Sequence, residues 1–120
     1  MRLAREGCDI AIVNRNRDAG QRVADEIRTL FKVNAMAFEC DVSRHEDVKK
    51  LKRQVEESLG NVDILVNNAG LLSLERSIFE GDDEDYQHVV DANLMSYFWV
   101  RFFIQNTYFE SILGFETHFD

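Results

Sequence analysis

Residues Asp63–Gly70 read DILVNNAG, an apolar segment that runs straight into two asparagines, an alanine and a glycine. Two explanations compete for the small polar residues at the end of the apolar run. One is an ordinary turn, because asparagine tolerates left-handed backbone and glycine adopts it freely. The other is a ligand edge. In open parallel sheets small molecules bind beyond the carboxyl ends of the strands, where small residues and backbone amides permit close approach. The flanking sequence has to decide between them.

Working outward, the pattern alternates strand and helix. Met1 to Glu6 has the character of a helix end closed by Gly7. Ile10 to Asn14 (IAIVN) is a continuous apolar run, which predicts a strand covered on both faces. Ala19, Val23, Ile27, Leu30 and Phe31 recur at helical spacing after it, with Asn16 or Asp18 available as cap. Ala35 to Glu39 (AMAFE) predicts a second strand. CDVSRHE then places Ser43 and Glu46 as a capping box before a helix striped by Val48, Leu51, Val55 and Leu59 and ended by Gly60. Ile64 to Asn67 predicts a third strand. The carboxylates of Asp82 to Asp85 open a last helix toward Ile104, with Tyr86, Val89, Val90, Leu94, Tyr97 and Phe98 as its apolar face. This order argues for crossover connections and a parallel sheet, so the fold class is α/β.

Composition narrows the function. At 120 residues with 45% hydrophobic and 30% charged content, the chain fits one modest globular domain. A formal net charge of −8 argues against a general nucleic-acid or anionic-membrane partner. Leu94 to Ile104, interrupted by Ser96 and Arg101, is too short to span a bilayer. The charged start MRLAREGCD has no apolar leader pattern, and the two cysteines lack zinc-like spacing, so we expect free thiols in a reducing, cytoplasmic setting. His45, His88 and His118 are scattered, and no metal site is expected.

The segments LAREGCDIAIVNRN, CDVS, DILVNNAG and DANLMSYFWV, in this order and spacing, resemble the short-chain dehydrogenase/reductase family. The likeness covers the central part of that family's nucleotide-binding domain. It implies a partial Rossmann-like, three-layer parallel sheet over residues 1–101, lacking the family's first strand and the strands after the fourth. Residues 102–120, which hold five of the nine phenylalanines, form an atypical C-terminal tail that we expect to be poorly ordered. The resemblance assigns Asp41 and Val42 to the adenine side of a nicotinamide dinucleotide, and Asn67, Asn68, Ala69 and Gly70 to the adenosine ribose. Asp41 also suits a helix entry, and asparagines at 67 and 68 also suit a purely structural role. Asn14 stands where NAD-preferring relatives place an acid, and Arg15 follows it, so NADP(H) is favoured over NAD(H). Arg15 and Arg17 as solvated surface charges are the alternative. Asn93 matches the asparagine of the family's proton relay, with a structural amide as its alternative.

Two parts of the family pattern do not occur in the sequence. The glycine-rich T-G-x-x-x-G-x-G turn that cradles the pyrophosphate is missing, as is the Tyr-x-x-x-Lys that supplies the acid/base. Tyr97 followed by Arg101 copies only the spacing, and we read Tyr97 as packing. The expectation is therefore a truncated NAD(P)-dependent oxidoreductase of alcohols or ketones, inactive as this chain, whose cofactor binding is weak or lost. The alternative is a non-catalytic nucleotide-binding or interaction module that self-associates or pairs with full-length relatives.

Overall fold

The structure is a computed structural model, and it describes residues 1–71 and 82–101. The elements are α1 (Arg2–Arg5), β1 (Ile10–Asn14), α2 (Arg17–Phe31), β2 (Ala35–Glu39), α3 (His45–Leu59) and α4 (Asp83–Val90). A π-helical turn, Asp91–Met95, continues α4, and helical backbone runs on through 101. The chain divides into two compact units, Met1–Asp41 with Glu46–Gly60, and Val42–His45 with Asn61–Asp120. Among the described residues no helix is long and apolar enough to cross a membrane. The tail at 102–120 lies outside the described residues.

In the first unit β1 and β2 pair in parallel, Ile10 against Ala35 through Asn14 against Glu39. Both strands fall where the sequence places them. Their separation by a helix follows from geometry, since parallel neighbours need a crossover rather than a hairpin. Ile10 and Ile12 are half-buried and, with Ala37, pack on a cluster of Ala4, Ala24, Ile27 and Ala35. Ala11 and Val13 are exposed, so β1 alternates rather than burying both faces. Its composition shows how apolar the strand is, but not how many layers cover it.

The buried row of α2 is Gly20, Ala24 and Ile27, with Phe31 half-buried, whereas Val23 and Leu30 are exposed. The helix is thus turned from the expected stripe so that its smallest residues meet the sheet. A Cβ on Gly20 would lie 3.3 Å from the Ala37 Cβ and 3.6 Å from that of Asn14. Glycine inside a helix costs about 1 kcal/mol relative to alanine, and the close approach to both strands is what it allows here. Asn16 caps α2, its side-chain oxygen accepting from the Ala19 amide at 2.9 Å. Farther along, Arg28 donates to the Ala35 carbonyl at 2.9 Å and pairs with Asp25, tying the helix to the start of β2. In α3 the stripe holds, with Val48, Leu51 and Val55 buried. Gly60, with φ +85°, ends it in the left-handed conformation a β-carbon would resist.

The expected third strand is not formed. Residues 64–67 are neither strand nor helix, and Ile64 and Val66 are 55% and 66% exposed. A strand exists through its ladder, and among the described residues none is paired with this segment. In the doubly wound order its neighbour would be the first strand, not β1, and no residues of this sequence match that strand. The face of the last helix also differs. Ala92, Ser96 and Val100 are the buried row, while Tyr86, Val90, Leu94, Tyr97 and Phe98 are exposed, so Tyr97 is not core packing. For Tyr97 and Phe98 the π turn shifts the register by one residue, which an uninterrupted α-helical count cannot anticipate, whereas Tyr86 and Val90 precede it.

Asp9 joins the entrances to β1 and β2, its carboxylate accepting from the Asn34 backbone amide and from its side-chain amide, both at 2.9 Å. These bonds favour the ionised form and hold the Asp9 carboxyl below its ordinary value. A carboxylate lowered in the folded state contributes stability that is present above its unfolded pKa and lost as pH falls through the folded one. Denaturant midpoints measured across acid pH should therefore fall less steeply in Asp9→Ala than in the parent chain. Parallel curves would show that the Asp9 contact contributes nothing to stability.

Candidate functional site

The parallel register sets the carboxyl ends of β1 and β2 side by side. Immediately beyond the ladder, the Cys40 amide donates to the Asn14 carbonyl at 3.2 Å, so the chain leaves the two strands as Asn14-Arg15 and Cys40-Asp41 from adjacent positions. Asn14 has a second task. Its side-chain oxygen accepts from the Asn16 amide at 3.0 Å, forming the bend that carries the chain from β1 to the α2 cap. One lone pair of the oxygen is thereby engaged and its direction fixed, and the side-chain NH2 remains as a donor. Arg15 is exposed at this bend.

Asp41 is half-buried. Its charge reaches Cys40, whose thiol is pushed up to about 11, first by burial and then by the carboxylates of Asp47 and Asp41. A thiol held that far above neutrality is protonated and a poor nucleophile. Cys40 is accordingly a core residue, and the other polar groups this edge presents are its amides, Asn14, Arg15 and Asp41.

In the second unit Asn67, Asn68, Ala69 and Gly70 form an exposed, irregular segment. Asn93 meets its end. The Asn93 side-chain oxygen accepts from the Leu71 amide at 2.6 Å, and its NH2 donates to the Leu71 carbonyl at 2.8 Å. One carboxamide thus satisfies both backbone groups of one residue, as a neighbouring strand would. Gly70 is part of the fit, because a Cβ there would stand 3.2 Å from the same Asn93 oxygen. Asn93 sits within the Asp91–Met95 π turn, and such single-turn bulges occur frequently at functional sites. Val42 is half-buried in this unit.

Three residues that matter locally have no site role in the sequence reading. Gly20 was detectable as a glycine inside a helical pattern, which signals close packing. Leu71 acts through its backbone and leaves no trace in its side chain. Ser96, buried beside the π turn, is visible only once that turn is known.

A nicotinamide dinucleotide supplies hydride transfer when bound, and the groups at the first strand ends suit its adenosine half. An amide NH2 and a guanidinium are donors of the kind a phosphate ester takes. The pyrophosphate cradle of glycine-rich backbone is not in this sequence.

Comparison with known proteins shows the family. A family model described as short chain dehydrogenase matches residues 1–106, and the chain belongs to that family. It is 34% identical over 99 residues to a 3beta-hydroxysteroid dehydrogenase of Mediterraneibacter gnavus, covering 82% of this chain and 36% of the relative. Against epidermal retinol dehydrogenase 2 of Mus musculus the identity is 28%, over 83% of this chain and 32% of the relative. The crystal structure of L-sorbose reductase from Gluconobacter frateurii, complexed with NADPH and L-sorbose, superposes with a TM-score of 0.79 at 31% identity. That match covers 85% of this chain and 38% of the reductase. The chain therefore spans well under half the length of these relatives.

The Asn93 clamp has a measurable worth. Asn93→Ala leaves the Leu71 N–H and C=O without their carboxamide partner, and should lower the unfolding free energy by about 1–3 kcal/mol. Asn93→Asp keeps the acceptor but sets a carboxylate oxygen against the Leu71 carbonyl, so it too should be less stable than the parent. Denaturant titration of the three chains checks the order. Equal stabilities would mean the clamp is incidental.

Proposed function

We propose that this chain carries the adenosine side of a nicotinamide-dinucleotide site, prefers NADP(H) to NAD(H), binds it weakly, and does not turn over alcohols or ketones by itself. The observation that carries the preference is the engagement of the Asn14 oxygen by the Asn16 amide. A ribose diol is best held by an acceptor such as a carboxylate, whereas a 2′-phosphate takes donors. With its oxygen engaged, Asn14 offers NH2, and Arg15 beside it offers a planar fork of N–H groups. Likeness to a reductase solved with NADPH supports the same choice.

Asp41 and Val42 are assigned to the adenine side, Asn67, Asn68, Ala69 and Gly70 to the ribose side, and Asn93 to the proton-relay position. The Leu71 clamp supports a role for Asn93 in shaping the NNAG segment, whether or not it also holds a relay water. Weak binding follows from the sequence. Without a glycine-rich turn the remaining contacts must offset the ligand's lost translational and rotational freedom almost unaided. Inactivity follows from the absence of Tyr-x-x-x-Lys, since Arg101 at the matching distance from Tyr97 is a guanidinium that stays charged and cannot relay a proton as lysine does. Relatives named as hydroxysteroid and retinol dehydrogenases support an alcohol or ketone as the parent substrate class. Two free cysteines support a reducing, cytoplasmic setting.

One further observation favours a second reading. Tyr86, Val90, Leu94, Tyr97 and Phe98 are exposed along one stretch of helix, and exposed apolar groups of this density mark association surfaces. A non-catalytic module that pairs with itself or with full-length relatives would use them.

Calorimetry on the purified chain with NADPH and with NADH separates these readings, together with a cofactor-absorbance assay on an alcohol and a ketone. NADPH should bind at least about tenfold more tightly than NADH, as one charge-assisted contact provides, and Arg15→Ala should narrow the difference. Turnover should be absent. Equal affinities would overturn the NADP assignment, turnover would overturn the inactive reading, and binding of neither cofactor by a self-associating chain would favour the module.

A further inference from the structure

Ser96 is among the most buried polar residues described, 2% exposed, and no part of the nucleotide site uses it. Its surroundings explain why a hydroxyl is there. At the end of the π turn the Ser96 amide donates to the Asp91 carbonyl, one residue farther back than an α-helix would take it. In an α-helix that amide would serve the Ala92 carbonyl. Here the Ser96 hydroxyl donates to the Ala92 carbonyl instead, at 2.6 Å. Ala92 is itself buried, 4% exposed, so a carbonyl left unserved there would have no ready recourse to water. The side chain thus supplies a donor to the carbonyl that the Ser96 amide has passed over.

Asn93 is the residue next to that acceptor and lies in the middle of the same turn. We propose that Ser96 is a positioning residue. By holding the π register over Asp91–Met95, its hydroxyl sets the Asn93 carboxamide against the Leu71 backbone and so fixes the end of the NNAG segment. Without the hydroxyl, an α-helical register returns the Ser96 amide to Ala92 and rotates Asn93 away from Leu71. This rests on Asn93 being a site residue, as proposed above, and adds the element that aims it.

The test is amide hydrogen exchange and side-chain NMR on the isotope-labelled 120-residue chain, comparing the parent with Ser96→Ala, Ser96→Cys and Asn93→Ala. In Ser96→Ala the Leu71 amide should exchange about tenfold faster, the change expected from losing one hydrogen bond of ordinary net worth. The Asn93 NH2 signals should move toward those of a free carboxamide, while the amides of β1 and β2 keep their protection. Ser96→Cys fills nearly the same volume with a weak donor and should move both readouts in the same direction, which keeps the test informative should the alanine variant not fold. Unchanged Leu71 exchange and unchanged Asn93 signals in a folded Ser96 variant would overturn the proposal. Asn93→Ala separates the two layers. If it accelerates Leu71 exchange while the Ser96 variants do not, the clamp stands and only the role of Ser96 fails. If it does not, the clamp itself is wrong.

Discussion

The hydrogen bond from the Cys40 amide to the Asn14 carbonyl extends the parallel ladder one step beyond its last paired residues and brings two chain exits level. Much of the first unit depends on that alignment. A two-stranded pair has little stability of its own in water and needs a packed layer, which α2 supplies by lying close enough for Gly20 to sit against both strands. The bend through Asn14 and Asn16 then does two things at once. It starts α2 with a capped amide, and it fixes which atoms of Asn14 remain available to a ligand. Specificity for a phosphate at this edge would therefore be a by-product of how the helix is begun.

The second unit reaches a comparable result by a different device. Its NNAG segment has no strand partner among the described residues, and a single carboxamide stands in for one by meeting both polar groups of Leu71. A half-buried amide is costly unless its bonds are made. Asn93 makes them from within the π turn. Side-chain substitution for a ladder is a local solution, and it fixes one residue rather than a segment, which agrees with the exposure of Ile64 and Val66 just upstream.

Much of this was legible in the sequence, and the limits have physical causes. Both paired strands, the capped start of α2, the buried stripe of α3 and the acidic opening of α4 follow from local chemistry: apolar runs, Asn16, the spacing of Val48, Leu51 and Val55, and Asp82. What failed was whatever depends on neighbours. Ile64 to Val66 has strand composition but no ladder. β1 reads as covered on both faces, since Ala11 and Val13 are apolar like the half-buried Ile10 and Ile12, yet its exposure alternates. On the last helix the extra residue in the turn at Asn93 rotates Tyr97 and Phe98 away from the expected face, whereas Tyr86 and Val90 precede that turn and are exposed although their spacing reads as core. Of the candidate site, the importance of Asn93 was legible from the cost of burying an amide, but its partner was not, since Leu71 contributes only backbone.

The central claim is that the level ends of β1 and β2 form a phosphate-selective adenosine edge. The most direct measurement is an NMR titration of the labelled chain with adenosine bisphosphate carrying a 2′-phosphate, set against adenosine monophosphate without it. Amide shifts should concentrate at Asn14, Arg15 and Asn16 and at Cys40 and Asp41, saturating at lower concentration for the 2′-phosphorylated compound. Shifts confined to other parts of the chain, or equal responses to the two compounds, would contradict the claim.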